Sequence, residues 1–166
     1  MRCIITGKVT DIAVKITDVD FMCRSCAVVM YDGKILFQKR RNDKYWALPG
    51  GKIGVLETTS EAITRELKEE LDITEITVGD VISVTENFFE WNGNKVHQYI
   101  FAHKVTFNDH KYNDIEGTFD GSEKGKDVIF TWVKKEDLVN TPIKPDYVVD
   151  QLLNTENGIQ FSTCIE

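Results

Sequence analysis

The chain has 166 residues and a mass of 19.0 kDa, with 42% hydrophobic, 28% charged and 10% aromatic residues, a balance that fits one folded domain and excludes a disordered or collagen-like chain. A core of this size needs no disulfide or metal staple, so any metal serves function. Twenty Lys and Arg against 27 Asp and Glu give a net charge of -7 and a pI near 5.0, too acidic for a general binder of duplex nucleic acid or anionic membrane; a polyanionic substrate must meet local positive charge, from a bound cation or an Arg/Lys cluster.

Met1 to Asp20 alternates apolar and polar residues (Ile4, Ile5, Val9, Ile12, Val14, Ile16) and reads as a β extension, residues 1-21, ahead of a main domain at 22-166. It carries no long apolar core or small-residue cleavage site, and no apolar run approaches the ~20 residues that span a bilayer, so a cytoplasmic location is expected. The four cysteines should then be thiols. Only Cys23 and Cys26 have chelating spacing, but they lie in the strand-like run MCRSCAVVM, where residues three apart point to opposite faces. Neither Cys3 nor Cys164 has a Cys or His neighbour to complete a site. They read as small buried hydrophobes.

Residues 22-30 and 35-40 (ILFQKR) read as two strands joined by the turn signal Tyr31-Asp32-Gly33. The chain breaks at Pro49-Gly50-Gly51. From Thr58 to Leu71 the pattern is helical, with Thr58 and Glu61 spaced as a capping box. Residues 75-90 and 95-107 alternate as strands around Trp91-Asn92-Gly93-Asn94, a second hairpin signal. Asn108 to Lys126 is polar and Gly-containing, and a mobile loop is expected there. A strand (DVIFTWV, 127-133), a helical turn at 135-139 and a helix starting near Pro145, a residue that suits a first helical position, complete the pattern. The order implies an α/β (α+β) layer structure with a mixed sheet and helices on its faces.

On the predicted helix, Glu66, Glu69 and Glu70 stand at i, i+3 and i+4, within about 100° of one face, while Ile63, Leu67 and Leu71 form the adjacent apolar face. Three anions so close repel one another, a cost best relieved by a divalent cation. All-oxygen ligands suit Mg2+ or Mn2+. The bland alternative is a solvated face on which Arg65 and Lys68 pair with the acids.

The wider spacing decides between these. Gly51, five residues, Glu57, seven residues, then Arg65-Glu66-Leu67, Lys68, Glu69-Glu70, Leu71, Asp72 and Ile73 resembles the Nudix box, G-x5-E-x7-R-E-U-x-E-E-x-G-U, with U a bulky apolar residue. A chance match is on the order of 10⁻⁸ per start site. Trp46-Ala47-Leu48-Pro49-Gly50 leads into the box in the same way. One position departs: the family's glycine is Asp72, at a helix end where φ > 0 is usual and which Asp tolerates better than most residues.

The resemblance implies a Nudix-like α/β/α sandwich with a mixed β-sheet over about residues 22-155, leaving the N-terminal β extension outside it. It also implies hydrolysis of a nucleoside diphosphate linked to a further group, by water attack on phosphorus, with Mg2+ or Mn2+ as cofactor. By the family pattern Glu66, Glu69 and Glu70 are metal ligands, joined by the backbone carbonyl of Gly50. A carboxylate at 69 or 70 is also placed to take a proton from water. Arg65 holds Glu57 or Glu69 by a bidentate pair, and Glu57 is a structural or outer ligand. A further acid is expected from a distant loop, with Glu116, Asp120 and Glu123 as candidates.

Substrate contacts are less constrained. Lys39, Arg40 and Arg41 are candidate phosphate contacts, although strand alternation keeps all three from facing one site. Trp46, Phe88, Phe89 and Trp91 are candidate stacking residues for a base, with core packing as the alternative. His97, His103 and His110 have no metal-ligand company and receive no role. No proline lies between Pro49 and Pro142, and Phe88 and Phe89 stand where dinucleoside-polyphosphate-preferring members carry tyrosine, so no sub-family marker names the substrate. The expected partner is a nucleotide-derived small molecule, with duplex nucleic acid and membrane excluded and homo-oligomerisation left open. The alternative to catalysis is a silent Nudix-fold module that senses nucleotides or acts as a scaffold; intact carboxylates at 57, 66, 69 and 70 argue for catalysis.

Overall fold

The computed structural model describes residues 10-154 and 158-166, so Cys3 and the strand reading of Met1 to Val9 lie outside the described residues. The chain runs β1 (Ala13–Ile16), β2 (Val19–Tyr31), β3 (Lys34–Arg40), β4 (Gly50–Lys52), α1 (Thr59–Leu71), β5 (Ile76–Trp91), β6 (Asn94–Phe107), β7 (Thr118–Asp120), β8 (Val128–Lys134), a 3₁₀ helix (Lys135–Asn140), α2 (Tyr147–Leu153) and β9 (Gln160–Ile165). The strands form one sheet in the order β7-β8-β3-β2-β6-β5-β9, with β1 and β4 also paired to β2. β2 is parallel to β6 and β5 to β9, and the other pairings are antiparallel, so the sheet is mixed as expected.

Both predicted hairpins form where their turn residues dictate. Asp32 and Gly33 have φ of 46° and 69°, and Asn92 and Gly93 have φ of 50° and 78°. Two successive left-handed residues make a turn whose twist matches that of the flanking strands, which is why Asp-Gly and Asn-Gly signal it.

Alternation along β2 builds two cores. Ala27 and Val29 face α1 and pack with Leu36, Ile63, Leu67, Leu71, Val105 and Phe130, whereas Cys26 and Val28 face α2 and pack with Phe37, Leu48, Ile143, Val148 and Leu152. The result is a helix layer on each side of the sheet, the α/β/α arrangement expected. Ile63, Leu67 and Leu71 are fully buried, and each contributes roughly 1.5–3 kcal/mol by leaving water. That anchorage sets which face of α1 carries its charges. Cys26 is buried and Cys23 half-buried on the opposite face; both are free thiols.

One expectation is corrected. The segment 108-126 is packed: the Tyr112 hydroxyl donates to the Leu71 carbonyl at 2.8 Å, the Trp132 indole N–H donates to the Tyr112 carbonyl at 2.8 Å, and Phe119 in β7 stacks between Tyr112 and Phe130. Two aromatic anchors thus tie a polar segment to the core. α2 begins at Tyr147, near Pro145 as expected, with Asp146 as its N-cap. β9, which no expectation covered, pairs with β5 and becomes a sheet edge.

Candidate active site

Helix α1 starts as its sequence dictates. The Thr58 hydroxyl accepts from the Glu61 N–H at 3.2 Å, and the Glu61 carboxylate accepts from the Thr58 N–H at 2.9 Å, so both halves of the capping box are made. Two polar contacts dock this end onto the sheet: the Ser25 hydroxyl donates to the Thr59 carbonyl at 2.9 Å, and His103 lies 2.9 Å from both the Gly79 carbonyl and the Thr59 hydroxyl. Since a carbonyl only accepts, Nδ1 of His103 carries the proton and Nε2 accepts from Thr59. His103 is a satisfied core residue.

The helix ends at Asp72, whose φ of 54° and ψ of 36° are left-handed, with its N–H on the Lys68 carbonyl. This is the conformation expected at the position where the Nudix box carries glycine.

Between these ends lies the charged constellation. Arg65 donates through Nε and Nη2 to the two oxygens of Glu57 at 2.8 and 3.0 Å, through Nη1 to Glu66 at 2.7 Å, and through Nη2 to the Lys52 carbonyl at 2.9 Å. Of the two partners proposed for this fork, Glu57 takes it, while Glu69 stands 3.8 Å away. The Gly54 N–H donates to the second oxygen of Glu57 at 2.7 Å, so Glu57 is fully employed in fixing Arg65 to the Gly51–Glu57 segment. These pairs hold the guanidinium of Arg65 further toward its charged form, with Glu57 the largest contributor.

Gly50 and Gly51 let this cluster close. Gly50 has φ of 134°, and a Cβ there would lie 2.2 Å from the Ser25 carbonyl oxygen; one on Gly51 would lie 2.1 Å from a Glu66 oxygen. Glu66 therefore sits directly on the glycine backbone. Glu70, one turn along, is 7% exposed, and its Oε2 has no hydrogen-bond partner. Burial, followed by the neighbouring charge of Glu66, pushes the Glu70 carboxyl up to about 8. Glu69 points outward and is about half exposed.

Among the described residues no three Asp, Glu, His or Cys side chains converge on one point as a finished metal site. Arg65 draws Glu66 aside and Glu69 faces solvent. What the structure does bring together is a buried pair of acids, Glu66 and Glu70, with Glu66 against the Gly51 backbone next to the Gly50 carbonyl. That carbonyl accepts from Arg24 on β2 at 3.3 Å. An orphaned, buried carboxyl oxygen beside a second carboxylate fits a hard divalent cation.

Other candidates divide. Arg41 is held by Asp120 and Asp127, the latter at 2.9 Å, and Arg40 is exposed at the end of β3. Lys39 lies 5.0 Å over the ring of Trp46, which packs against the α2-side core. Phe88 stacks on His97 at 4.3 Å, Phe89 is half-buried in β5, and Trp91 is exposed at a hairpin tip. His110 meets the Asn113 amide at 3.0 Å. Among the loop acids, Glu116 lines a separate surface cleft with Lys34, Trp132 and Asp137, and Asp120 belongs to Arg41. Glu123 is paired with Lys126 at 2.8 Å beside the end of α1.

Two neighbours of the carboxylates were not anticipated. Arg24 lies in MCRSCAVVM, and an ionisable residue within an otherwise buried strand is the signal that marks it. Lys126 comes from a segment 56 positions beyond Glu70, and no local pattern announces it.

The family model of the NUDIX domain matches residues 23-151. The chain is 30% identical over 123 residues to CTP pyrophosphohydrolase from Escherichia coli (strain K12), covering 72% of this chain and 80% of that protein. In fold it is similar to the mutator MutT protein from Bacillus halodurans, with a TM-score of 0.62 and 20% identity over 86% of this chain and 88% of the other. It is also similar to the MutT protein from Methanosarcina mazei Go1, with a TM-score of 0.58 and 23% identity over 82% of this chain and 93% of the other.

Proposed function

Because the chain belongs to the Nudix hydrolase family, we propose that it is a metal-dependent pyrophosphohydrolase acting on a nucleoside diphosphate linked to a further group, with Mg2+ or Mn2+ as its cation. The likeness to CTP pyrophosphohydrolase supports phosphate as the further group. The substrate is then a nucleoside triphosphate, with a pyrimidine base the first to test, which one water splits into a nucleoside monophosphate and pyrophosphate. We assign the reaction to the cytoplasm, where such nucleotides and reduced thiols coexist; the free Cys23, Cys26 and Cys164 agree with that, and no helix among the described residues is long and apolar enough to cross a membrane.

One observation carries the reading: the buried Glu70 carboxylate, with an oxygen that nothing in the protein satisfies, lies against a second carboxylate, Glu66. A folded chain leaves such a group unpaired where an external partner completes it. Glu66, Glu70 and the Gly50 carbonyl, joined by Glu69, would hold a divalent cation there. When bound, that cation neutralises phosphate charge and lowers the pKa of water.

The remaining steps belong to side chains. Arg65, fixed by Glu57, orients Glu66. Glu70 gives up its proton as the cation binds. Glu69, half exposed and turned outward, takes a proton from the attacking water, while pyrophosphate departs with the electron pair of the broken P–O bond. Arg40 is the candidate phosphate contact from β3 and Trp46 the candidate wall for the base.

The test is a screen of nucleoside triphosphates and nucleoside diphosphate derivatives with Mg2+ and Mn2+, reading monophosphate and pyrophosphate release. Release that Glu69→Gln and Glu70→Gln both abolish supports the reading. Release that both variants leave intact overturns it, and nucleotide binding with no product from any substrate favours a sensing module.

A further inference from the structure

The loop between β7 and β8 is seated on the end of the site helix. The Ser122 N–H donates to the Glu70 carbonyl at 2.7 Å and the Ser122 hydroxyl to the Glu69 carbonyl at 3.4 Å, so two of the open carbonyls at the C-terminal end of α1 are capped from this loop. The approach is close enough that a Cβ on Gly121 would lie 3.0 Å from the Glu70 carbonyl oxygen. Both flanks of the loop are tied to one side chain, Arg41, which bonds to Asp120 on one flank and Asp127 on the other, while the Arg41 N–H also donates to the Asp127 carbonyl at 2.9 Å.

This seating brings one cation to the carboxylates. Lys126, the residue before Asp127, pairs with Glu123 at 2.8 Å and lies within Coulombic reach of Glu66 and Glu70. Its ammonium is therefore shared among three acids and makes its ion pair with the outermost one. Once a divalent cation neutralises Glu66 and Glu70, the attraction that draws Lys126 toward them is removed, and its flexible stem leaves it next to whatever phosphate the site receives.

We infer that Lys126 is a phosphate-binding residue of this site and that Arg41 is a positioning residue that fixes the loop presenting it. The inference rests on the pyrophosphohydrolase reading but adds two residues to it and reassigns Arg41, which the sequence suggests as a phosphate contact. It also explains an otherwise wasteful arrangement, because a chain of net charge -7 must supply local positive charge to bind a polyphosphate.

Two binding measurements test it without turnover. Lys126→Met should tighten Mn2+ alone, titrated calorimetrically, because a competing cation has gone. The same variant should weaken inorganic pyrophosphate in the presence of Mg2+ by about 10-fold or more, the size of one charge-assisted contact, and Lys126→Arg should restore most of that loss. A residue that merely shapes the loop would not move the two ligands in opposite directions. With a turnover substrate, KM should rise and kcat stay within about 3-fold.

Arg41 is separated from Lys126 by a double-mutant cycle. If Arg41 acts through Lys126, Arg41→Gln weakens pyrophosphate in the wild type and adds nothing in the Lys126→Met background. Asp120→Asn with Asp127→Asn, residues held to touch no phosphate, should reproduce the Arg41→Gln loss. Unchanged pyrophosphate binding in Lys126→Met, in a protein whose hydrolysis Glu70→Gln abolishes, overturns this inference and leaves the pyrophosphohydrolase standing. Additive losses in the cycle overturn the role of Arg41. Failure of the wild-type protein to bind Mn2+ or pyrophosphate overturns both readings together.

Discussion

Two glutamates on this sheet-and-helix framework are both withdrawn from full solvent but stand in opposite circumstances. Glu86, on the far reach of β5, accepts from the Tyr99 hydroxyl at 2.6 Å and lies 3.3 Å from His97, which is itself stacked on Phe88 and edge-on to Phe21. Every element of that cluster comes from cross-strand neighbours on one face of β2, β6 and β5, and the cluster is complete as it stands. Glu70 is more deeply buried, has a second acid for a neighbour and keeps an unpartnered oxygen. Both regions cost the same kind of desolvation, but only one recovers it within the protein. A polar group that is satisfied contributes to the fold, and one that is not points to a ligand.

The largest expected effect separates the two sites by activity. Glu70→Gln should lower kcat about 10²–10⁴-fold, and Glu69→Gln likewise, with the two losses not additive because ligands of one cation act together. Glu86→Gln should leave kcat within about 2-fold. Steady-state kinetics on the four proteins, wild type included, decides it. Comparable losses at Glu86 and Glu70 would end the distinction.

Next in size is a pH effect on stability without metal. The Glu70 carboxyl sits at about 8 in the folded protein against 4.5 for an ordinary glutamate, so the folded state holds a proton that the unfolded state has released between those values. Below 4.5 both states are protonated and nothing is lost. Stability then falls as pH rises, and above about 8 the whole cost is present, at most a few kcal/mol at ~1.4 kcal/mol per pH unit. Glu66 adds repulsion, and Lys126, Arg24 and the Gln38 amide offset it from the loop, β2 and β3. Denaturation in chelator at pH 5 and pH 9 should show Glu70→Gln more stable than wild type at pH 9 and equal to it at pH 5. A gain at pH 5 as large as that at pH 9 would contradict the titration.

A smaller effect sharpens the other side. Tyr99→Phe removes the hydroxyl donated to Glu86 and should lower the melting temperature by no more than about 5 °C, with no change in metal binding, since Glu86 keeps His97 and some solvent. Thermal unfolding with and without Mg2+ checks this. A change in the metal-induced shift would tie the distant cluster to the site.

The same contrast governs what the sequence makes legible. Glu66, Glu69, Glu70 and Arg65 lie within one helix, and the pairing of Arg65 with Glu57 spans eight residues, so local spacing is sufficient to find them. Both hairpins and the capping box are local for the same reason. Arg24, Lys126 and Ser122 reach the site only because β2 and the β7–β8 loop fold against α1, and no periodicity encodes that approach. The 108-126 segment misleads in the same way: its composition is that of a mobile loop, while Tyr112 and Phe119 anchor it through partners at 71, 130 and 132. β4, β7 and β9 are three to six residues long, too short for alternation to distinguish them from loop. The orphaned oxygen of Glu70 is the least legible feature, since it is defined by what surrounds it from four directions.

Asp72 offers the finest cut, because it lies two residues from Glu70 and is strained without being buried. Its left-handed φ of 54° is unfavourable for any residue with a Cβ, and glycine removes that cost, about 0.5–1 kcal/mol. The exposed carboxylate also stands at the negative end of the helix dipole, so its loss is again mildly favourable. Against this, glycine gains freedom in the unfolded chain, which offsets several tenths of a kcal/mol. Asp72→Gly should therefore stabilise the protein slightly, by less than about 1 kcal/mol, and leave both kcat and metal affinity unchanged. Denaturant unfolding and Mn2+ titration of the variant check the two halves separately. If kcat falls while Mn2+ binding holds, the helix end controls where Glu69 and Glu70 point, and strain at Asp72 belongs to the catalytic machinery; if neither moves, the chemistry depends on the unsatisfied oxygen of Glu70 and not on the strained backbone that follows it.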